Sequence, residues 1–134
     1  MSVQEHAITL SIPPERPFHG VARLVVGGLA ARLDLSYEDL EDLQLALASV
    51  LERDSYLTGS HVTVRLCVKP ESVGMVIGPL EPRLRSDLES ESEDEISLRR
   101  LLSTLVETVG VEPGDGGDWL SLEKRVPIKH PTRR

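Results

Sequence analysis

The chain has 134 residues, of which 40% are hydrophobic, 28% are charged and only 3% are aromatic, and its formal net charge is −7 at pH 7. This length predicts one domain, residues 1–134, with a core built mainly from leucine, valine, isoleucine and alanine. The negative charge argues against a general nucleic-acid or membrane binder, and the single cysteine excludes an intramolecular disulfide or a multi-cysteine zinc site. No signal peptide or membrane-spanning run is visible, so we expect a cytoplasmic protein.

The first third of the chain predicts a strand followed by a helix. Residues 7–12 alternate apolar and polar side chains, which is typical of a half-buried strand. Residues 17–33 repeat apolar side chains at helical spacing, and Pro17 suits the first turn. Gly27 and Gly28 inside this helix each cost roughly 1 kcal/mol relative to alanine. We assign that cost to close helix packing, with a kink as the alternative.

Residues 35–54 predict the central helix of the fold. Ser36 is a good N-cap, and Asp39 forms a weakened capping box with it. Ser49 and Arg53 are four residues apart, and this spacing predicts that they share one helical face. Apolar residues form a separate stripe at helical spacing: Leu40, Leu43, Leu47, Val50 and Leu51.

The middle of the chain predicts a hairpin and then an acidic loop. Residues 62–68 and 73–77 read as two strands joined by a short turn at Pro70. Residues 86–95 carry six acidic side chains and no basic one. Such runs are usually solvated, so we predict an acidic, low-complexity loop over residues 81–95.

The last part predicts a third helix, a second hairpin and a basic tail. Residues 96–109 have helical periodicity, and Gly110 is a natural helix stop. The hairpin begins at Val111 and returns over residues 119–126, and the short basic tail covers residues 128–134.

This order of elements predicts an α+β fold. It is a two-layer sandwich with one mixed, mostly antiparallel sheet and three helices on one face. The other sheet face is left to water or to a partner. Trp119 falls on that polar face, where a tryptophan is most often a packing residue but also marks a candidate partner surface.

The chain resembles the bacterial anti-sigma-factor serine kinases, which have the histidine kinase-like Bergerat (GHKL) ATPase fold. Four stretches carry the resemblance: VARLVVGGLAARLDLSYEDLEDLQLALASVL, HVTVRLCV, LRRLLSTLVETVGVE and DWLSLEKRV. They are signatures of the scaffold and not of its chemistry. Three motifs carry the chemistry of the family, and each is altered in this chain.

The first motif lies on the central helix, where the resemblance implies a glutamate and, four residues later, an asparagine. The glutamate activates the attacking hydroxyl, and the asparagine holds the magnesium ion that neutralises the phosphates. Ser49 takes the glutamate position and Arg53 the asparagine position. Serine is not a competent base near neutral pH, and arginine has no acceptor atom for a metal.

The other two motifs surround the nucleotide in the family. An Asp-x-Gly-x-Gly motif recognises adenine, but here Val76 or Ile77 takes the aspartate position and only Gly78 remains. Gly78, followed by Pro79, is better explained as a simple turn after a strand. A glycine-rich lid binds phosphates through backbone N–H groups, but residues 79–109 contain no glycine. The acidic loop in its place would repel a triphosphate.

These changes favour a non-catalytic regulatory module that binds proteins, a degenerate anti-sigma-factor kinase without ATP binding. The alternatives are an active ATP-dependent protein serine kinase and a small-ligand sensor that uses the remodelled pocket. No catalytic residue, metal site or cofactor is expected, and ATP with magnesium enters only if the family activity survives. The resemblance implies a sigma factor or an anti-anti-sigma (STAS-domain) regulator as partner, and a homodimer. We expect no nucleic-acid or membrane partner.

Overall fold

The structure is a computed structural model that describes residues 6–90 and 97–126. It contains five strands and four α-helices within these residues. The strands are β1 (His6–Ile12), β2 (Val62–Lys69), β3 (Ser72–Leu80), β4 (Thr108–Gly114) and β5 (Gly117–Arg125). The helices are α1 (His19–Arg32), α2 (Tyr37–Leu51), α3 (Pro82–Glu89) and α4 (Leu98–Leu105).

The strands form one sheet in the order β1-β2-β3-β5-β4, and every neighbouring pair is antiparallel. Leu66 lies opposite Met75, and Met75 lies opposite Leu122. Because directly opposed residues project from the same face, these side chains form a continuous apolar surface across the sheet. The predicted α+β sandwich is confirmed, and the described sheet is antiparallel throughout.

The helices bury this apolar surface. In α2, Ala46, Leu47 and Val50 have no solvent exposure, so the predicted central helix lies in the middle of the core. The hydroxyl oxygen of Ser36 accepts a hydrogen bond of 3.0 Å from the backbone N–H of Asp39, which confirms the predicted cap. The helix ends at Leu51, three residues before the predicted end.

The segment predicted as an acidic loop contains a helix. Helix α3 covers Pro82–Glu89, with proline in its first turn, where the missing N–H costs nothing. Leu84 and Leu88 are four residues apart and both are buried in the core. The acidic composition hid this two-leucine stripe. The remainder of the predicted loop, residues 91–95, and the predicted basic tail, residues 128–134, lie outside the described residues.

The third predicted helix is shorter than expected. Helix α4 ends at Leu105, and Gly110 is not a helix stop, because it lies inside β4 opposite Ser121. The helical spacing of leucines continues to Val109, but Val109 pairs with Leu122 of β5. Long-range strand pairing therefore overrides the local periodicity at this end.

Strand β1 is an edge strand and is less buried than its alternating pattern predicted. Of the three residues that share its apolar face, Ile12 is 3% exposed, Leu10 is half-buried and Ile8 is 40% exposed. Pro17 and Phe18, which the sequence placed in the first helix, belong instead to a single 3-10 turn, Arg16–Phe18, before α1. None of the helices in the described ranges is long and apolar enough to cross a membrane.

Candidate functional site

The two positions singled out on α2 do not form a pair on one helical face. The hydroxyl of Ser49 donates a 2.8 Å hydrogen bond to the carbonyl of Leu45, one turn earlier in the same helix. Arg53 lies after the end of α2, with extended backbone angles, and its guanidinium carbon is 5.7 Å from the centroid of the Tyr56 ring. The predicted shared face is therefore wrong, because the helix ends between the two residues.

Two predicted pocket positions on β3, Val76 and Gly78, lie on the far side of the sheet, whereas Ile77, the alternative to Val76, lies on the core face. Met75 and Ile77 have no solvent exposure and face the helices. Val76 lies between them in sequence, so its side chain projects from the opposite face, where it is half-buried and opposite Ser121. Gly78 is on that same face. The structure therefore does not bring Val76 and Gly78 together with Ser49.

Trp119 covers the glycines of this outer sheet face. A side chain at Gly78 or at Gly114 would overlap the Trp119 ring, so both positions require glycine for a steric reason. The indole N–H donates a 3.0 Å hydrogen bond to the carbonyl of Asp115. These contacts fit the packing interpretation of Trp119. A partner surface there remains a prediction, and Trp119→Ala would also remove this packing.

Helix α3 is fixed to its surroundings by polar contacts as well as by its two leucines. The hydroxyl of Tyr56 donates a 2.6 Å hydrogen bond to the carboxylate of Asp87. Arg85 donates two hydrogen bonds, of 3.2 and 3.1 Å, to the carboxylate of Asp118. Arg99 of α4 donates a 3.1 Å hydrogen bond to the carbonyl of Leu88 at the end of α3. We call this set of contacts the α3 junction.

Tyr56 connects the end of α2 to the α3 junction. Its side chain has no solvent exposure, although the residue stands in a 3-10 turn directly after α2. Its backbone carbonyl accepts a 2.8 Å hydrogen bond from the N–H of Glu81, the residue before α3. Burial, reinforced by the hydrogen bond to Asp87, raises the pKa of Tyr56 from 10.0 to about 12. The phenol therefore remains protonated as a donor over the physiological range.

Lys124 is a buried cation that the sequence analysis missed. It is 8% exposed and stands on the core face of β5 opposite Val73. Its ammonium group lies 3.1 Å from the carboxylate of Asp42 and 3.7 Å from that of Asp39, and donates a 2.9 Å hydrogen bond to the carbonyl of Leu105. The alternation that places Leu120 and Leu122 inward also places Lys124 inward, so the burial of Lys124 could have been predicted from the sequence. The lysine joins the first turn of α2 to the end of α4.

A second ion pair lies on the outer face of the sheet. The carboxylate of Glu123 accepts a 2.9 Å hydrogen bond from the hydroxyl of Ser72 and lies 3.2 Å from the ammonium of Lys69. The hydrogen bond from Ser72 is the larger of these effects, and together they lower the pKa of Glu123. Both charged side chains are well exposed, at 37% and 45%, so this pair contributes little to stability.

Three neighbouring depressions lie on the surface of α1 and α2. One of about 200 Å³ is lined by charged, aromatic and apolar residues: Arg16, His19, Gly20, Arg23, Ala48, Leu51 and Glu52. Two neighbouring ones extend it over the outer sides of both helices, and Arg23 lines all three. None of these three is lined by Ser49 or Arg53, so they differ from the nucleotide pocket that the resemblance implies.

The residues at the family positions do not fit a magnesium-bound nucleotide. Arg53 offers no acceptor atom, the Ser49 hydroxyl is already bonded to the helix backbone, and Val76 is apolar. The described part of the chain also contains no group of three histidine, cysteine or acidic side chains that could hold a metal ion.

Comparison with known proteins gives partial matches. No protein-family model matches the chain. It is 42% identical over 45 residues to the serine-protein kinase RsbW of Halalkalibacterium halodurans, which is 34% of this chain and 28% of that protein. It is 38% identical over 48 residues to RsbW of Bacillus velezensis, covering 36% of this chain and 30% of that protein. RsbW of Oceanobacillus iheyensis is 39% identical over 44 residues, covering 33% and 28%. These matches support a relation to the RsbW kinases over about a third of the chain and span less than a third of those proteins.

Proposed function

We propose that the protein is a non-catalytic regulatory module that binds other proteins, related to the RsbW-type serine kinases but without their nucleotide site. The packing of α3 is the observation that carries this proposal. The resemblance places the flexible phosphate-binding lid of the family in the segment where this chain has α3. A helix packed into the core has no free backbone N–H groups to offer a triphosphate except at its first turn.

Helix α3 is costly to move. Leu84 and Leu88 are 0% and 2% exposed, and each stabilises the fold by about 1.5–3 kcal/mol through burial of apolar surface. Opening the segment would also separate the hydrogen-bonded side chains of the α3 junction. These contacts favour a segment that stays closed, in contrast to a lid that opens in every catalytic cycle.

The chemistry of the α2 positions supports the same proposal. A kinase needs a base beside the accepting hydroxyl and a metal beside the phosphates. Ser49 supplies no base, and Arg53 places a permanent cation, stacked near Tyr56, where the family has a metal ligand.

The partners are proposed by resemblance. The resemblance to the anti-sigma-factor serine kinases implies a sigma factor or a STAS-domain regulator as the partner class and a homodimer as the assembly, and we propose both for this chain. We also propose a cytoplasmic location, with no nucleic-acid or membrane partner. The similarity covers too little of the relatives to extend these properties to this chain as facts.

Calorimetry with ATP and magnesium tests the loss of the nucleotide site. We expect no saturable heat of binding up to millimolar nucleotide, because base, metal ligand and lid are all altered. The double variant Ser49→Glu/Arg53→Asn restores the family residues at these two positions, and we expect it still not to bind ATP because α3 stands in place of the glycine-rich lid. GTP, which has the same triphosphate and a different base, serves as the control for heat that does not depend on adenine. Micromolar affinity for ATP in the unaltered chain would overturn the proposal.

A phosphate-transfer assay separates the proposal from an active kinase. The full chain is incubated with radiolabelled ATP, magnesium and a STAS-domain regulator that a pull-down from native cytoplasm has identified as a binder. We expect the regulator to bind without becoming labelled. If a serine of the regulator is labelled faster than in the same reaction without the chain, the kinase activity survives.

A further inference from the structure

The outer sides of α1 and α2 expose apolar side chains that the core does not use. Leu24 is 76% exposed, Leu45 is 51% exposed and Val21 is 41% exposed. Leu24 and Leu45 line neighbouring depressions of one continuous groove between the two helices. We call this surface the outer helix face. Its members are Gly20, Val21, Arg23, Leu24, Gly27, Gly28, Glu41, Leu45, Ala48 and Glu52.

The glycines of α1 are not explained by packing within the chain. A methyl group added at Gly20 or Gly28 would meet no atom within 4 Å, and one added at Gly27 would meet only the side-chain amide of Gln44, at 3.5 Å. Close intramolecular packing, which the sequence analysis gave as the reason for Gly27 and Gly28, is therefore not the explanation. Glycine weakens a helix, so three glycines outside its buried face fit a surface that another backbone approaches closely.

The two helices carry opposite charges. Helix α1 contains two arginines and no acidic residue, whereas α2 contains four acidic residues and no basic one. Lys124 occupies two of these carboxylates, those of Asp39 and Asp42. Arg23, Glu41 and Glu52 line the same groove, yet none of them has an oppositely charged group within 4.0 Å among the described residues. The outer helix face thus has a basic side and an acidic side whose charges are unmatched.

We propose that the outer helix face binds a second copy of this chain. A twofold axis that runs along the groove places α1 of one copy over α2 of the other, and does so twice in the same interface. Arg23 then meets Glu52 of the second copy, and Leu24 meets Leu45. The glycines of α1 and Ala48 of α2 allow the two layers to approach closely.

Self-complementarity favours a second copy over other occupants. An unrelated partner would need its own basic and acidic rows at the same separation, whereas the same chain supplies both by symmetry. The inference deepens the homodimer of the proposed function by assigning its surface. It does not depend on the loss of nucleotide binding, which calorimetry measures separately.

Sedimentation equilibrium of the full chain over a wide concentration range tests the assignment. We expect a reversible dimer that weakens as salt is added, because the matched charges are screened. Arg23→Glu and Glu52→Arg are each expected to raise the dimer dissociation constant at least tenfold. Arg65→Glu, on the exposed outer face of the sheet, is the matched control and should leave it unchanged.

Mixing the two variants is the decisive step. In the mixed dimer, the new glutamate at position 23 faces the new arginine at position 52, and the other half of the interface keeps its original residues. We therefore expect the mixture to dimerise with nearly the original affinity, while circular dichroism shows each variant to be folded. A chain that is monomeric at every concentration would overturn the inference and leave the face to another partner. A dimer that neither variant weakens would contradict the assignment of the outer helix face as the interface, and the proposed homodimer itself would stand.

Discussion

The α3 junction and the outer helix face differ in burial and in the pairing of their polar groups. At the α3 junction, leucines are buried and the polar groups meet partners, as in the hydrogen bond from Tyr56 to Asp87. On the outer helix face, Leu24 and Leu45 are exposed and charges are unmatched. The first region is built to stay closed. The second region exposes apolar surface and unmatched charges. A partner can therefore bind there without breaking an existing ion pair.

The two regions divide stability and exposed surface between them. The contacts that fix α3 stabilise the fold at the place where the resemblance implies a flexible lid. One segment cannot be both a stable part of the core and a mobile lid, because opening the lid would expose side chains that the core must keep buried. We infer that the end of α2 beside α3 serves stability and that binding is left to the outer helix face.

The largest expected effect comes from truncating a leucine in each region. Leu84→Ala should lower the free energy of unfolding by about 2–5 kcal/mol, because it leaves a cavity under α3. Leu24→Ala should change it by less than about 0.5 kcal/mol, since this side chain is 76% exposed. Urea denaturation of both variants, at protein concentrations low enough to keep the chain monomeric, measures the two free energies of unfolding. Equal losses would show that α3 is not part of the core.

Replacing the buried cation tests how firmly the first turn of α2 is joined to the sheet. Lys124→Met should cost about 2–3 kcal/mol, because it leaves the carboxylate of Asp42 and the carbonyl of Leu105 without their donor; partial exposure of the carboxylates keeps the value below that of a fully buried pair. Arg125→Met, one residue later on the exposed face, is the control and should be nearly neutral. Thermal unfolding measures both, and a neutral Lys124→Met would contradict the structural role.

The α3 junction should also give stability a dependence on alkaline pH. An unfolded tyrosine loses its proton near pH 10, whereas folded Tyr56 keeps it to about pH 12. The corresponding stability is present in full below pH 10 and is lost as the pH rises toward 12. At 1.36 kcal/mol per pKa unit, the loss is of the order of 2 kcal/mol.

Denaturation at a series of pH values measures this dependence, with Tyr56→Phe as the reference variant. The variant lacks the hydroxyl and should lose much less stability between pH 10 and 12. Tyr37 remains in both proteins, so its ionisation cancels in the comparison. The same slope in both proteins would show that the phenol of Tyr56 is not the group responsible.

The smallest expected effect has the opposite sign. Gly28→Ala should stabilise the monomer by up to about 1 kcal/mol, because alanine favours the helix and the added methyl group meets nothing within 4 Å. Gly78→Ala is the contrasting variant and should destabilise, since its methyl group would overlap the Trp119 ring. Chemical denaturation of dilute protein measures both. A destabilising Gly28→Ala would mean that α1 packs against something inside the chain.

Local patterns in the sequence were enough for most of the fold. The alternation in residues 62–68 and 73–77, the Ser36 cap and the apolar stripe of residues 40–51 each determine a conformation through neighbours in sequence. Composition was misleading at α3, because the acidic run of residues 86–95 hid the two leucines through which the helix packs into the core. Periodicity was misleading at α4, because the same valines satisfy a helix or a strand and only the pairing with β5 decides between them.

The sequence by itself also determined that Ser49 and Arg53 cannot act as base and metal ligand, because that follows from the chemistry of the side chains. Only the tertiary structure decided that Val76 projects away from α2, that Lys124 is buried among carboxylates, and that the glycines of α1 face open space. Each of these depends on which residues that are distant in sequence become neighbours in space. The chemistry of one side chain does not determine those neighbours.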